Sequence, residues 1–310
     1  MFEIFKKLTV FDKVKYYDEP HVYFIGDKQV TSVTTLIHQF ENEFEEDFWS
    51  DYKAVEKIMG ESEFKVFKKE VGKDFVKEEF LKRGGDEDSL LKIKKEILKE
   101  WKFKNHYATY EGSTLHDFAE NYFNNKVFSY PEINYEKDIE WPQIKDTYKI
   151  MEGQFKNFYN DVVGKLIPVK TELVVCDEDY EIAGMIDMLF YSVKLKKLVI
   201  YDWKTNTELK TENMWQKMKA PLNHLEECEL NTYSLQLHTY KHLIEKNTGL
   251  KLHDDCFIVW FNENNDNYQM VKCHDYTEEV KKMFEYKMKN KSQFKVKEYD
   301  LKKGCFKKVA

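Results

Sequence analysis

Residues 184–206 read GMIDMLFYSVKLKKLVIYDWKTN. Two runs within it have the period of β-strands around the turn SVKLK, and each places an acid, Asp187 or Asp202, where a core residue is expected. Residues i and i+2 of a strand share a face. Asp202 and Lys204 therefore point together, with Leu198 and Ile200 on the same side and Trp203 opposite. On the preceding strand Met185, Asp187 and Leu189 share one face and Ile186, Met188 and Phe190 the other, so Asp187 has apolar neighbours on both sides. An ionised carboxylate buried alone is expensive, and the sequence must supply compensation. Lys204 can neutralise one acid. Two acids on adjacent strands still repel each other, which favours a divalent cation, and hard oxygen ligands select Mg²⁺ or Mn²⁺. A buried Asp–Lys ion pair, or an Asp facing solvent at a sheet edge, is the plain structural alternative.

Working outward, KTELVVC (170–176) reads as a third strand before these two, and further strands are expected at 255–262 and 268–273. Helical spacing predicts helices at 112–125, beginning near Ser113 or Thr114, and at 136–163, 211–220, 231–246 and 277–290. Near the start, alternation over 13–31 interrupted by GDK predicts a hairpin region, followed by a short helix capped by Ser32 or Thr34. Residues 43–105 are rich in Lys and Glu with apolar residues at helical spacing, broken by GGDED at 84–88. The expected organisation is an N-terminal hairpin and helical section (1–105) packed on an α/β core (106–310).

The chain of 310 residues is 42% hydrophobic, enough for a sizeable core. Its 49 basic and 56 acidic residues give a net charge of −7, so any polyanion site must be a local patch. Arg83 is the only arginine. The five cysteines are odd in number and form no CxxC pair, which argues for reduced thiols and against a disulfide framework or metal–sulfur cluster. The first residues lack a secretory or transit signature and no window has the length of a membrane span, so a cytoplasmic protein with no membrane partner is expected.

With these residues in view, the chain resembles the PD-(D/E)xK nuclease superfamily, in particular its RecB-like exonuclease branch. Gly184-Met185-Ile186-Asp187 is similar to the family's G-x-h-D strand, and Asp202-Trp203-Lys204-Thr205 to its D-h-K-T strand. Gly112 to Glu120, with His116 between them, is similar to its G-x-x-x-H-x-x-x-E helix. Gln236-Leu237-His238-Thr239-Tyr240 is similar to its Q-x-x-x-Y helix. The four occur in the family's order over about residues 110 to 245, and residues 21–37 resemble the opening hairpin of some viral and phage members. The proline of the superfamily's name is absent before Asp187, as is common in this branch.

The resemblance implies a restriction-endonuclease-like fold, with a central mixed β-sheet flanked by helices. It also implies a Mg²⁺- or Mn²⁺-dependent nuclease that hydrolyses DNA phosphodiester bonds, acting from DNA ends in recombination, repair or genome processing. Metal ligands would be His116, Asp187, Asp202 and the Trp203 backbone carbonyl. Asp187, Asp202 and Lys204 would be catalytic, with Lys204 positioning the attacking water. Gln236 and Tyr240 would border the site and help hold the strand, while Glu120 and Glu172 would support it. The iron–sulfur cluster of some relatives has no counterpart here. DNA is the expected partner, a helicase or recombination protein is compatible, and in a viral or phage setting the work would be done in the host cytoplasm.

Residue by residue, the alternatives remain open. His116 and Glu120 share a helix face and can bond each other instead. Tyr233, Gln236 and Tyr240 form a stripe that suits core packing as well as base stacking. Lys194, Lys196, Lys197 and Lys210 are either phosphate contacts or solvated turn lysines. The alternative function is a non-catalytic nucleic-acid-binding or assembly subunit retaining the fold.

Overall fold

The computed structural model describes residues 1–18, 20–129, 144–294 and 296–307. In chain order the elements are α1 (Phe2–Leu8), β1 (Val14–Tyr17), β2 (Val22–Ile25), β3 (Lys28–Ser32), α2 (Val33–His38), α3 (Glu46–Met59), α4 (Glu61–Val71), α5 (Val76–Lys82) and α6 (Glu87–Phe123). There follow α7 (Ile144–Val162), β4 (Leu166–Asp177), β5 (Ile182–Ser192), β6 (Lys197–Lys204), α8 (Glu229–Thr248), β7 (Phe257–Trp260), β8 (Gln269–Lys272), α9 (Thr277–Lys289), β9 (Tyr299–Asp300) and β10 (Cys305–Phe306). The protein is α/β, with a mixed eight-stranded sheet, as the strand periodicities require.

Sheet order is β1-β2-β3-β5-β6-β7-β8, with β4 paired to β5. One side of β5 is covered by antiparallel β4 along its length. The other side is divided. Ile182 and Ala183 pair in parallel with β3, Met188 to Ser192 pair antiparallel with β6, and Gly184 to Ile186 pair with β4 alone. Beyond the Met188–Tyr201 pair, β6 continues beside β7 only, with Asp202 opposite Ile258 and Lys204 opposite Trp260. The sheet thus forks at Asp187, and extending the β5–β6 register across the fork sets Asp187 opposite Asp202.

Two apolar cores cover the sheet. One joins Ile186, Leu189, Leu198 and Ile200 to α2, α8 and α9 through residues such as Leu36, Leu237 and Phe284. The other joins Met188, Phe190, Tyr201 and Trp203 to the end of α6 and to α7 through Leu115, Phe118, Phe155 and Phe158. β6 alternates as its period requires, with Trp203 opposite Leu198 and Ile200. β5 does not: Ile186 and Leu189 join one core while Met188 and Phe190 join the other, so the expected alternation breaks at Asp187. Across from it, Glu172 of β4 has φ +44°, a left-handed conformation unusual within a strand, and the distortion faces the fork.

The described chain divides into two compact units. One comprises Met1–Asn42 and the described residues from Gly112 onward; the other is Glu43–Glu111. Pairing of β3 with β5 carries the opening hairpin into the main sheet. The second unit has its own core, with Tyr52, Val55, Phe64, Phe67, Phe80, Leu90 and Ile97 among its buried residues.

Two helix expectations change. GSTLHDFAENYF does not begin a helix; it ends the 37-residue α6, which passes through Gly112 without a break. One glycine in a helix interior costs only about 1 kcal/mol relative to alanine, and no proline interrupts this run. Residues 211–220 form no helix but a hydrogen-bonded excursion, in which Met218 N–H donates to the Leu225 carbonyl and Lys217 bridges to Glu226. Of the expected 136–163 helix, the described part is α7, and 136–143 lies outside the described residues. Ser32 does cap α2, its Oγ accepting the Thr35 N–H at 2.9 Å.

Candidate metal centre

The fork in the sheet makes the site. Where β6 leaves β5, the Trp203 N–H loses a strand partner, and the Asp187 carboxylate accepts it instead at 2.7 Å. On the α6 side, the His116 Nε2–H faces the Trp203 carbonyl at 3.2 Å, and Nδ1 lies 3.5 Å from the other Asp187 oxygen. His116 is thus turned toward the strands rather than bonded to Glu120. Glu120 accepts from Asn124 at 3.5 Å and is among the charges acting on Glu172.

Glu172, across from Asp187, completes the group. One ligand atom each from His116, Glu172 and Asp187 lies within 4.8 Å of the others. Burial first, then the charges of Asp187, Glu120, Asp202 and Asp117, push the Glu172 carboxyl up to about 9. Asp187 is pushed up to about 6 by burial and Asp202, against the opposing influence of His116, Lys204 and the Trp203 N–H. Carboxylates so crowded and desolvated retain protons unless a cation replaces them. An imidazole, two carboxylates and the adjacent Trp203 carbonyl form a donor set that fits a divalent cation.

Asp202 lies outside this three-residue group. It is 1% exposed, and its carboxylate forms an ion pair with Lys204, which the two-residue period puts on the same side. The Lys204 Nζ also sits 4.6 Å from the centre of the Tyr233 ring, and the Tyr233 hydroxyl is bonded to Asn206 at 2.7 Å. The two aspartates hold the Lys204 amine well above its usual range, so it stays charged despite burial.

Gln236 and Tyr240 belong to the opposite core. Gln236 donates to the Tyr240 hydroxyl at 2.9 Å, and the two residues are 8% and 2% exposed. A Cβ at Gly184 would stand 2.6 Å from Tyr240 Cε1 and 3.0 Å from Val33 Cγ2. Tyr240 therefore packs against Gly184, with Gln236 bonded to it on α8, twelve of whose twenty residues are buried. Gly112 approaches the other end of the site, where an added Cβ would meet Thr205 Oγ1 at 3.4 Å.

Two neighbours were not singled out as site residues from the sequence. Tyr23 of β2 has its hydroxyl pKa raised by burial and then by the charges of Glu172, Asp187 and Asp18. Asn206 anchors the chain after β6, its carbonyl accepting from Trp260 and Asn262 at 2.7 Å each. The polar TN that follows Lys204 was the available signal for Asn206; nothing local marks Tyr23.

The sequence matches no known family profile and no curated protein. Among solved structures, the chain is similar to a candidate exonuclease from Eubacterium rectale, with 18% identity, 59% of this chain and 65% of that chain covered, and a TM-score of 0.38. A second structure, whose name states no activity, shares 15% identity over 48% of this chain and 62% of that one, with a TM-score of 0.26. The similarity spans under two thirds of either protein's length. No helix among the described residues is long and apolar enough to cross a membrane.

Proposed function

We propose that the protein is a divalent-metal-dependent nuclease that hydrolyses DNA phosphodiester bonds from ends. The observation that carries this reading is the convergence, at one fork in the sheet, of His116, Glu172 and Asp187 beside the Asp202–Lys204 ion pair. His116, Glu172, Asp187 and the Trp203 carbonyl would hold Mg²⁺ or Mn²⁺. A bound cation there supplies charge to polarise a phosphate oxygen and to lower the pKa of water.

The protein groups have separable tasks. Asp187 holds the Trp203 peptide in place while offering its other oxygen to the site. Lys204, kept cationic by Asp202 and seated against Tyr233, can orient a water and stabilise negative charge developing on phosphate oxygens. Asp202 maintains the position and charge of that ammonium. Gln236 and Tyr240 brace the strand that carries Asp187.

The test uses purified protein and end-labelled single- and double-stranded DNA with Mg²⁺ or Mn²⁺, beside Asp187→Ala and Lys204→Ala. The expected result is cleavage that both substitutions and a chelator abolish, with linear DNA degraded and circular DNA left intact. Cleavage indifferent to both substitutions would overturn the site. Nucleic-acid binding without cleavage in any metal would favour a non-catalytic subunit.

A further inference from the structure

Between β6, which carries Asp202 and Lys204, and α8, which carries Tyr233, residues 205–228 contain the segment LKTENMWQKMK (209–219). Trp215 in it is 93% exposed and Met214 81%, the former the most exposed tryptophan among the described residues. The segment that displays these two side chains is tied down by hydrogen bonds of its own. Asn213 fixes it three ways: its N–H donates to Glu226 at 2.8 Å, its side-chain amide to the Glu227 carbonyl at 2.7 Å, and its Oδ1 accepts the Trp215 N–H at 3.1 Å. The Glu227 N–H donates to the Gln216 carbonyl at 3.0 Å, and buried Met218 and Leu225 tie the base of the excursion to the core. The tip is thus held out by its own backbone bonds.

The excursion starts beside the site. The Lys210 carbonyl accepts the Leu230 N–H at 3.1 Å, and Tyr233, whose ring lies under the Lys204 ammonium, is three residues further along α8, a rise of about 4.5 Å. Lys210, Lys217 and Lys219 are exposed and make no ion pair among the described residues; of the nearby acids, Glu212 lies within the segment, and Glu226 and Glu227 lie across from it, the Glu226 carboxylate already accepting the Asn213 N–H. A fixed indole flanked by free ammonium groups is the pairing that receives a base face and its phosphates. A protein interface of ordinary size needs well over a thousand Å² of buried surface, more than two exposed side chains offer.

We infer that Trp215 is a stacking platform for an unpaired base of the nucleic-acid substrate, with Lys210, Lys217 and Lys219 contacting its phosphates. The inference rests on the nuclease reading above, and the experiment separates the two. Binding of a 5′-labelled single-stranded oligonucleotide is measured in an Asp187→Asn background, which prevents degradation. Trp215→Ala is expected to weaken binding about 5- to 150-fold, Trp215→Phe to retain most of it, and the oligonucleotide to quench Trp215 emission. Lys217→Ala is expected to lower the slope of log affinity against log salt by about 0.7. Otherwise active Trp215→Ala protein should show a raised KM for single-stranded ends. Unchanged affinity and KM in Trp215→Ala, whether or not self-association changes, overturns the stacking role while leaving the nuclease reading intact. If the unsubstituted protein neither binds nor cleaves nucleic acid, both fall. The exposure of Trp215 means that the alanine variant should fold, which matching thermal melts check.

Discussion

Asp187 and the Trp203 backbone are joined by a 2.7 Å hydrogen bond at the step where β6 has already left β5. A side chain takes over from the strand ladder, and this puts an acid inside the sheet. Asp187 thus has a structural and a chemical task, which substitutions can separate.

Asp187→Ala leaves the buried Trp203 N–H without an acceptor and is expected to destabilise the fold by about 1–3 kcal/mol. Asp187→Asn keeps an acceptor and should cost less. Both should lose about 10²-fold or more in cleavage, because both remove the charge. Denaturant melts run beside the labelled-DNA assay check this; an active Asp187→Asn protein would remove Asp187 from the chemistry.

Acid crowding at the fork predicts how metal and pH interact. Glu172 and Asp187 are pushed up to about 9 and about 6, so the metal-free folded state binds protons more tightly than the unfolded chain. The stability linked to those protons is fully present below the ordinary carboxylate range, and is lost as pH rises through those two values. Added Mn²⁺ should therefore raise Tm more near pH 8.5 than near pH 5.5, and Glu172→Gln should flatten the difference. Thermal shift with and without metal measures it, and an equal shift at both pH values would count against the shared site.

Lys204→Met leaves Asp202, 1% exposed, without its counter-charge. A cost of about 3–5 kcal/mol is expected from an orphaned buried charge. The double variant Asp202→Asn/Lys204→Met should recover much of that stability while remaining inactive. Chemical denaturation of the unsubstituted protein, Asp202→Asn, Lys204→Met and the double variant tests the coupling, and additive losses would contradict it.

Gly184→Ala pushes a methyl group to 2.6 Å from the Tyr240 ring. The ring is buried, and overpacking of this kind costs about 1–3 kcal/mol. In a double-mutant cycle with Tyr240→Leu, which removes the clashing ring atom, the cost of the alanine should shrink. If the two substitutions add independently, the bracing role assigned to Tyr240 is wrong.

Local signals made several parts legible. The period of two placed all three central strands, and on β6 it correctly set Asp202 and Lys204 against Trp203. It failed on β5, because the alternation breaks at Asp187, at the end of the stretch that has no partner on that side between β3, whose pairing stops at Ala183, and β6, whose pairing starts at Met188. The 211–220 segment has helical spacing, but Pro221 follows it and its backbone bonds run to 225–227 instead. The residue pattern at 112–120 marked His116 correctly on a helix while misplacing that helix's start, since nothing in the preceding residues stops α6.

By itself, then, the sequence determined the α/β class, the three central strands and the anomaly of two acids within them, because side-chain alternation and the cost of burying charge are local properties. Tertiary structure alone decided which acids meet. It brought one ligand atom each of Glu172, His116 and Asp187 within 4.8 Å of one another, whereas the Asp202–Lys204 pairing was already legible in the two-residue period of β6. It also drew the opening hairpin into the sheet. Such choices depend on which distant segments pack together and where one strand parts from another, and periodicity within a single strand carries no record of either.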